Sequence, residues 1–238
     1  MAATGFFPPA TSSQAPPPSV ARCGQCKFYT GCKSPKLPVG GLGRRGVLIV
    51  GAAPEAQDDA LGGHWRGPGG QRLRGELSPL GWDLDRDCWL YNALICHPGP
   101  DGPAADQVEH CRPNLLGLIK KLQPAVVLLM GEAAVQSLIK PLWRDSPGGL
   151  LRWTGWRIPD QTINAWVCPT WDPDEIAAKE QRNPALLLWW RRHLKAALGL
   201  TAKPWPDGPP DYLARVELVY DPTEAAARVD AMVAAGLP

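Results

Sequence analysis

Four short apolar runs limit what this chain can fold into: Val47–Gly51, Cys88–Ile95, Pro124–Gly131 and Ala165–Pro169. Helical stretches separate them, over 71–80, 104–122, 132–139 and 184–198. In the second of these, Val108, Leu115, Leu116, Ile119 and Leu122 share one side. Strands that alternate with helices predict a parallel sheet covered on both faces. The expected fold is therefore α/β: a single three-layer α/β/α domain around a central, mostly parallel four-stranded sheet. The domain is expected over 21–200, after a Pro/Ser/Ala-rich tail at 1–20 that reads as disordered. Beyond it, 201–238 reads as a Pro/Gly linker followed by a C-terminal extension, with a strand at Val216–Tyr220 and a helix at 223–235. Open sheets of this kind bind ligands beyond the carboxyl ends of their strands. That places the chemistry in the segments 51–70, 92–98, 131–134 and 169–175.

Composition narrows the function classes only a little. The formal net charge is +2, which permits a local basic face without requiring a nucleic-acid partner. No apolar run is long enough to span a membrane, and the first residues lack a secretion-signal pattern. Seven cysteines are an odd number for a disulfide framework, so reduced or metal-bound thiols in the cytoplasm are expected. A monomer is expected. Eleven tryptophans read mostly as core, with some free to stack on bases.

The cysteines carry the sharpest signal. Cys23 and Cys26 form a Cys-x-x-Cys pair, and Cys96 and Cys111 bracket the start of the long helix. Thiolates converging from two such pairs hold either a tetrahedral zinc or an iron–sulfur cluster, and spacing alone does not choose. Cys32 competes for a place in the first pair. Cys88 and Cys168 lie in strands and read as ordinary buried thiols.

The order of these segments resembles the iron–sulfur branch of the uracil-DNA glycosylase superfamily, family 4 and its relatives, from about Cys23 to Leu198. The matching stretches are Gly51-Ala-Ala-Pro-Glu-Ala-Gln-Asp-Asp59, Gly62-Gly-His-Trp-Arg-Gly67 with Gly70, Leu90-Tyr-Asn-Ala-Leu-Ile-Cys96, Cys111-Arg-Pro-Asn-Leu-Leu116, Met130-Gly-Glu-Ala-Ala134 and Asp172-Pro-Asp174. The resemblance implies that Cys23, Cys26, Cys96 and Cys111 ligate a structural [4Fe–4S] cluster. It also implies that the chain flips a nucleotide out of DNA and hydrolyses its N-glycosidic bond.

Several positions depart from the family pattern. Asn92 is kept, and its amide can match the Watson–Crick edge of uracil, or of cytosine by flipping. Trp65 replaces the family's stacking Phe. Ala52 replaces the acidic residue of Gly-Glu-(Ala/Gly)-Pro and Ala53 follows it, which makes the pocket roomier. Glu55 stands near the expected C5 position. Asp58 and Asp59 are the remaining candidates to position water. Asp172 replaces the His that stabilises negative charge on departing uracil. A carboxyl group suits a cytosine-type base, which leaves more easily when protonated. Arg66, Arg72, Arg191 and Arg192 are expected to contact phosphate. The combined expectation is a glycosylase for a bulky C5-modified cytosine, such as the glucosylated hydroxymethylcytosine of phage DNA, acting in antiviral defence. Uracil repair and a catalytically inactive DNA-binding module are the alternatives.

Overall fold

The computed structural model describes residues 21–100, 102–141, 148–211 and 217–236. The expected tail at 1–20 lies outside the described residues. Five strands form one sheet in the order β2-β1-β3-β5-β4. Here β1 is Val47–Gly51, β2 Cys88–Asn92, β3 Val126–Met130, β4 Ile158–Asp160 and β5 Ala165–Thr170. All neighbours pair in parallel except β4, which runs antiparallel to β5 at the edge. This edge strand is one more than the sequence reading expected. Ile158-Pro-Asp is too short for a periodic signal, and a proline is tolerated there because an edge strand can spare a donor.

Ten helices are placed among the described residues. Before β2 come α1 (Cys23–Cys26), α2 (Ala56–Leu61), α3 (Pro68–Leu77) and α4 (Leu84–Asp87). After it come α5 (Ala105–Leu122), α6 (Glu132–Leu138), α7 (Leu150–Trp153), α8 (Pro173–Lys179), α9 (Pro184–Leu198) and α10 (Pro222–Ala234). Strand β1 shows why the sheet sits in the middle: Leu48 and Val50 point into one core, Val47 and Ile49 into the other. Strands β1 and β3 thus carry no polar side chain, because each face meets helices. Among the described residues no helix is long and apolar enough to cross a membrane.

The chain divides into two units, 1–206 and 207–238. In the second, α10 is capped by Asp221 accepting from Glu224 N. Arg228 bridges Glu217 and Glu224. Residues 217–220 form no strand, contrary to expectation, and Leu218 and Tyr220 are exposed. An apolar run needs a sheet to pair with, and none is present among the described residues of this unit.

Candidate active site

Strand β1 has β2 on one side and β3 on the other, so the chain leaves it in opposite directions and opens a crevice at its carboxyl end. A cleft of about 370 Å³ lies there. Ala52, Ala53, Glu55, Asp58, Trp65, Asn92, His97, Asp172 and Asp174 all line it. Of the segments expected to carry chemistry, those after β1, β2 and β5 meet in this cleft.

The floor is built around a missing side chain. Gly51 pairs in register with Asn92, and a Cβ on Gly51 would collide with Asn92 Oδ1 and come within 2.6 Å of Trp65 Cζ2. Glycine therefore lets the amide and the indole meet over the strand end. Trp65 has φ 59°, a left-handed backbone that a bulky residue adopts only when its surroundings impose it. Arg74 Nη1 donates to its carbonyl at 2.7 Å, and Gly70 leaves room for that carbonyl. Asn92 and Trp65 are both buried, as a base-reading amide and a stacking ring would be.

The walls are acidic. Glu55 is pushed up to about 7, first by burial and then by Asp174, which also shares a hydrogen bond with it. Asp172 is pushed up to about 6 by burial, against the opposing effect of the Asp174 amide that it accepts from at 2.9 Å. Gly67 and Gly69, at the start of α3, leave the space that the Glu55 and Asp174 carboxyls fill. At mildly acidic pH Glu55 and Asp172 thus retain protons that solvent-exposed acids would have lost.

The two carboxylates expected to position water are otherwise engaged. Asp59 accepts from Lys33 N at 2.9 Å and Ser34 N at 2.8 Å, which holds its carboxyl below its ordinary range despite burial. It pins the loop after α1 and does not line the cleft. Asp58 does line it, but its oxygens accept from Glu55 N at 3.1 Å and Arg66 N at 2.5 Å. Asp174, in the quoted Asp-Pro-Asp motif but given no role there, is the freer carboxyl.

Two histidines were also missed. His97 lines the cleft, its Nδ1 lying 2.8 Å from Pro54 O. His64 is buried behind Asn92, with Nδ1 at 3.0 Å from Asn92 Nδ2.

A second hollow lies on the other side of the segment that follows β2. Cys23, Cys26, Cys96 and Cys111 line it, together with Phe28, Tyr29, Leu94, Ile95 and His110. Cys32 stands outside, its Sγ donating to Phe28 O at 3.1 Å. Burial pushes Cys96 up to about 11 and raises Cys111, so these thiols ionise only if a cation compensates. No three His, Cys, Asp or Glu side chains among the described residues close to the spacing of a single metal ion. Four thiols around one hollow are a donor set of the kind that holds a zinc ion or an iron–sulfur cluster. Cys88 and Cys168 are buried in their strands and pushed up to about 12 by burial.

The four arginines expected on DNA divide into two groups. Arg72 forks onto Glu180, and Arg191 onto Glu76 at 2.7 and 2.9 Å, so both already have anionic partners. Arg66 is half-exposed and 3.8 Å from Asp85. Arg192 lies 5.4 Å from the ring of the exposed Trp189. It lines an open basin with Trp156, Arg157 and His193.

Comparison with known proteins follows the same outline. The profile of the uracil DNA glycosylase superfamily matches residues 38–195. The type-4 uracil-DNA glycosylase of Pyrobaculum aerophilum is 31% identical over 169 residues, which is 70% of this chain and 83% of that protein. The type-4 uracil-DNA glycosylase of Archaeoglobus fulgidus is 26% identical over 118 residues, 49% of this chain and 58% of that protein.

Proposed function

The chain belongs to the uracil DNA glycosylase superfamily, and we propose that it is a DNA glycosylase for a bulky C5-modified cytosine rather than for plain uracil. The observation that carries this reading is the acidic wall of the cleft: Glu55, pushed up to about 7, and Asp172, pushed up to about 6, line it together with Asn92 and Trp65. A flipped base stacks on Trp65 and presents its Watson–Crick edge to Asn92. One protonated carboxyl donates to the base as the bond between C1′ and N1 breaks. Asp174 accepts a proton from the water whose oxygen bonds to C1′. A cytosine-type base accepts a proton more readily than uracil does and so draws more on this donor as it leaves. Ala52 and Ala53 leave room at the rim for a C5 substituent, and Glu55 offers it a hydrogen bond.

Cys23, Cys26, Cys96 and Cys111 are the residues that would hold a [4Fe–4S] cluster. Its contribution there is structural, joining α1, α5 and the segment after β2. Arg66 and Arg192 are the arginines best placed to meet DNA phosphates. Such a protein would act in the cytoplasm as a monomer and leave abasic sites in invading phage genomes.

The names of the two relatives support a second reading, excision of uracil in repair. One experiment separates the readings. Purified protein is incubated with uracil-containing DNA and with phage DNA carrying glucosylated hydroxymethylcytosine. Abasic sites are counted by alkaline cleavage and the released bases are weighed by mass spectrometry. Release from the phage DNA alone is expected. Release from uracil DNA alone would overturn the modified-cytosine reading, and binding without release from either would leave an inactive module.

A further inference from the structure

The Asn92 amide has two ends of nearly equal size, one a donor and one an acceptor. A half-turn exchanges them. That exchange is the difference between reading a 4-oxo pyrimidine, which has N3–H and O4, and a 4-amino pyrimidine, which has a bare N3 and an N4 amino group. Whatever fixes the amide therefore fixes the class of base.

His64 is placed to fix it. Its Nδ1 is 3.0 Å from Asn92 Nδ2, its side chain is only 1% exposed, and its ring packs against Tyr91 at 5.5 Å. Burial lowers its pKa to about 4, so the ring is neutral under ordinary conditions and carries one N–H and one lone pair. The backbone groups acting on it are the carbonyls of Leu37 and Pro38, which can only accept. Nε2 is buried without a hydrogen bond of good geometry. Because Nδ1 faces the Asn92 amide, Nε2 is the nitrogen left to carry the ring's N–H. With the proton on Nε2, Nδ1 is an acceptor and Asn92 must turn its NH₂ toward it. The reverse orientation sets Oδ1 against a lone pair inside the protein and loses the hydrogen bond. On the amide's other side, Gly51 leaves the gap that Oδ1 occupies.

We propose that His64 is a specificity-determining positioning residue: it locks the Asn92 amide in one orientation and so sets whether the cleft accepts a 4-amino or a 4-oxo pyrimidine. This rests on the glycosylase reading for its substrate, but the lock itself is a property of the protein alone. The test has two arms. Nitrogen-15 spectra of the wild-type histidine ring show which nitrogen carries the proton, and Nε2 is expected. A proton on Nδ1 overturns the proposal whatever the activity.

In the second arm, base release is compared on DNAs carrying 5-hydroxymethylcytosine or 5-hydroxymethyluracil. Wild type should prefer one by at least about tenfold, His64→Ala should narrow that to about threefold or less, and His64→Gln, which keeps an acceptor, should recover part of it. An unchanged ratio in His64→Ala overturns the proposal. If no DNA yields a base, the glycosylase reading fails. The free bases then serve as probes: a preference seen in the Asn92 side-chain resonances of wild type and lost in His64→Ala supports the lock, and equal response in both proteins overturns it.

Discussion

The base cleft and the cysteine hollow share a wall. The segment after β2 gives Asn92, His97 and Pro98 to the cleft, and Leu94, Ile95 and Cys96 to the hollow. Burial does opposite work on the two sides. In the cleft it keeps protons on Glu55 and Asp172, groups a reaction can draw on. In the hollow it raises the thiols Cys96 and Cys111, which only a bound metal centre would discharge. One side keeps its protons into the mildly acidic range, and the other would give its protons up only to a bound metal centre.

Replacing a wall residue of the hollow should break the comparison most severely. Cys111→Ser is expected to abolish the brown absorbance of the purified protein and to lower stability by more than about 2 kcal/mol in thermal melts. If the shared wall transmits the damage, base release falls with it.

On the other side, Asn92→Ala should reduce base release by about 10²–10³-fold while leaving the absorbance near wild type, with a modestly lower melting temperature because His64 Nδ1 loses its partner. Single-turnover rates on the preferred DNA check this.

The two sides should also differ in pH response. Base release should fall as pH rises through about 6 to 7, because Asp172 and Glu55 lose their protons over that range. The stability effect has the same sign. A carboxyl whose folded pKa is raised contributes stability fully below its unfolded pKa and loses it as pH climbs through the folded value. For Asp172 that window runs from its ordinary 3.8 up to about 6. Asp172→Asn keeps an acceptor for the Asp174 amide, and should gain up to about 2–3 kcal/mol over wild type at pH 8 relative to pH 4. Melting curves at the two pH values decide this.

The smallest effect sharpens the boundary between site and scaffold. Asp59→Ala should cost about 1–3 kcal/mol by orphaning the Lys33 and Ser34 amides, yet the folded fraction should keep its base release. A catalytic Asp59 would instead lose rate without losing stability, which comparing melts with single-turnover rates would show.

The contrast between Asp59 and Glu55 also marks where the sequence stopped being informative. Strands β1, β3 and β5 were visible because burial on two faces leaves unbroken apolar runs, and their ends located the cleft. Which carboxyl remained available was not visible. Asp58 and Asp59 lie in the first turn of α2, just after Glu55, but backbone amides, some brought from residues 33 and 34, occupy them. Arg72 and Arg191 looked free because their partners, Glu180 and Glu76, lie more than a hundred residues away along the chain. His64 follows two glycines in an aperiodic loop, and only folding shows that it faces Asn92. Helices α2 and α8 were too short and acidic to show a periodic pattern.

The turn that carries Asp172 is held from several directions. The Trp190 indole N–H donates to the Trp171 carbonyl at 3.0 Å. The Trp171 ring lies against His193 with centroids 5.2 Å apart. Asp172 itself caps α8. For a glycosylase that must test very many nucleotides for each one it removes, such a turn matters during the search. Nothing in it has to be assembled at each encounter, so the energy of inspecting a site falls on unstacking the DNA rather than on ordering the protein. A damaged or weakly paired base then reveals itself by how cheaply it leaves the helix, before any chemistry is attempted.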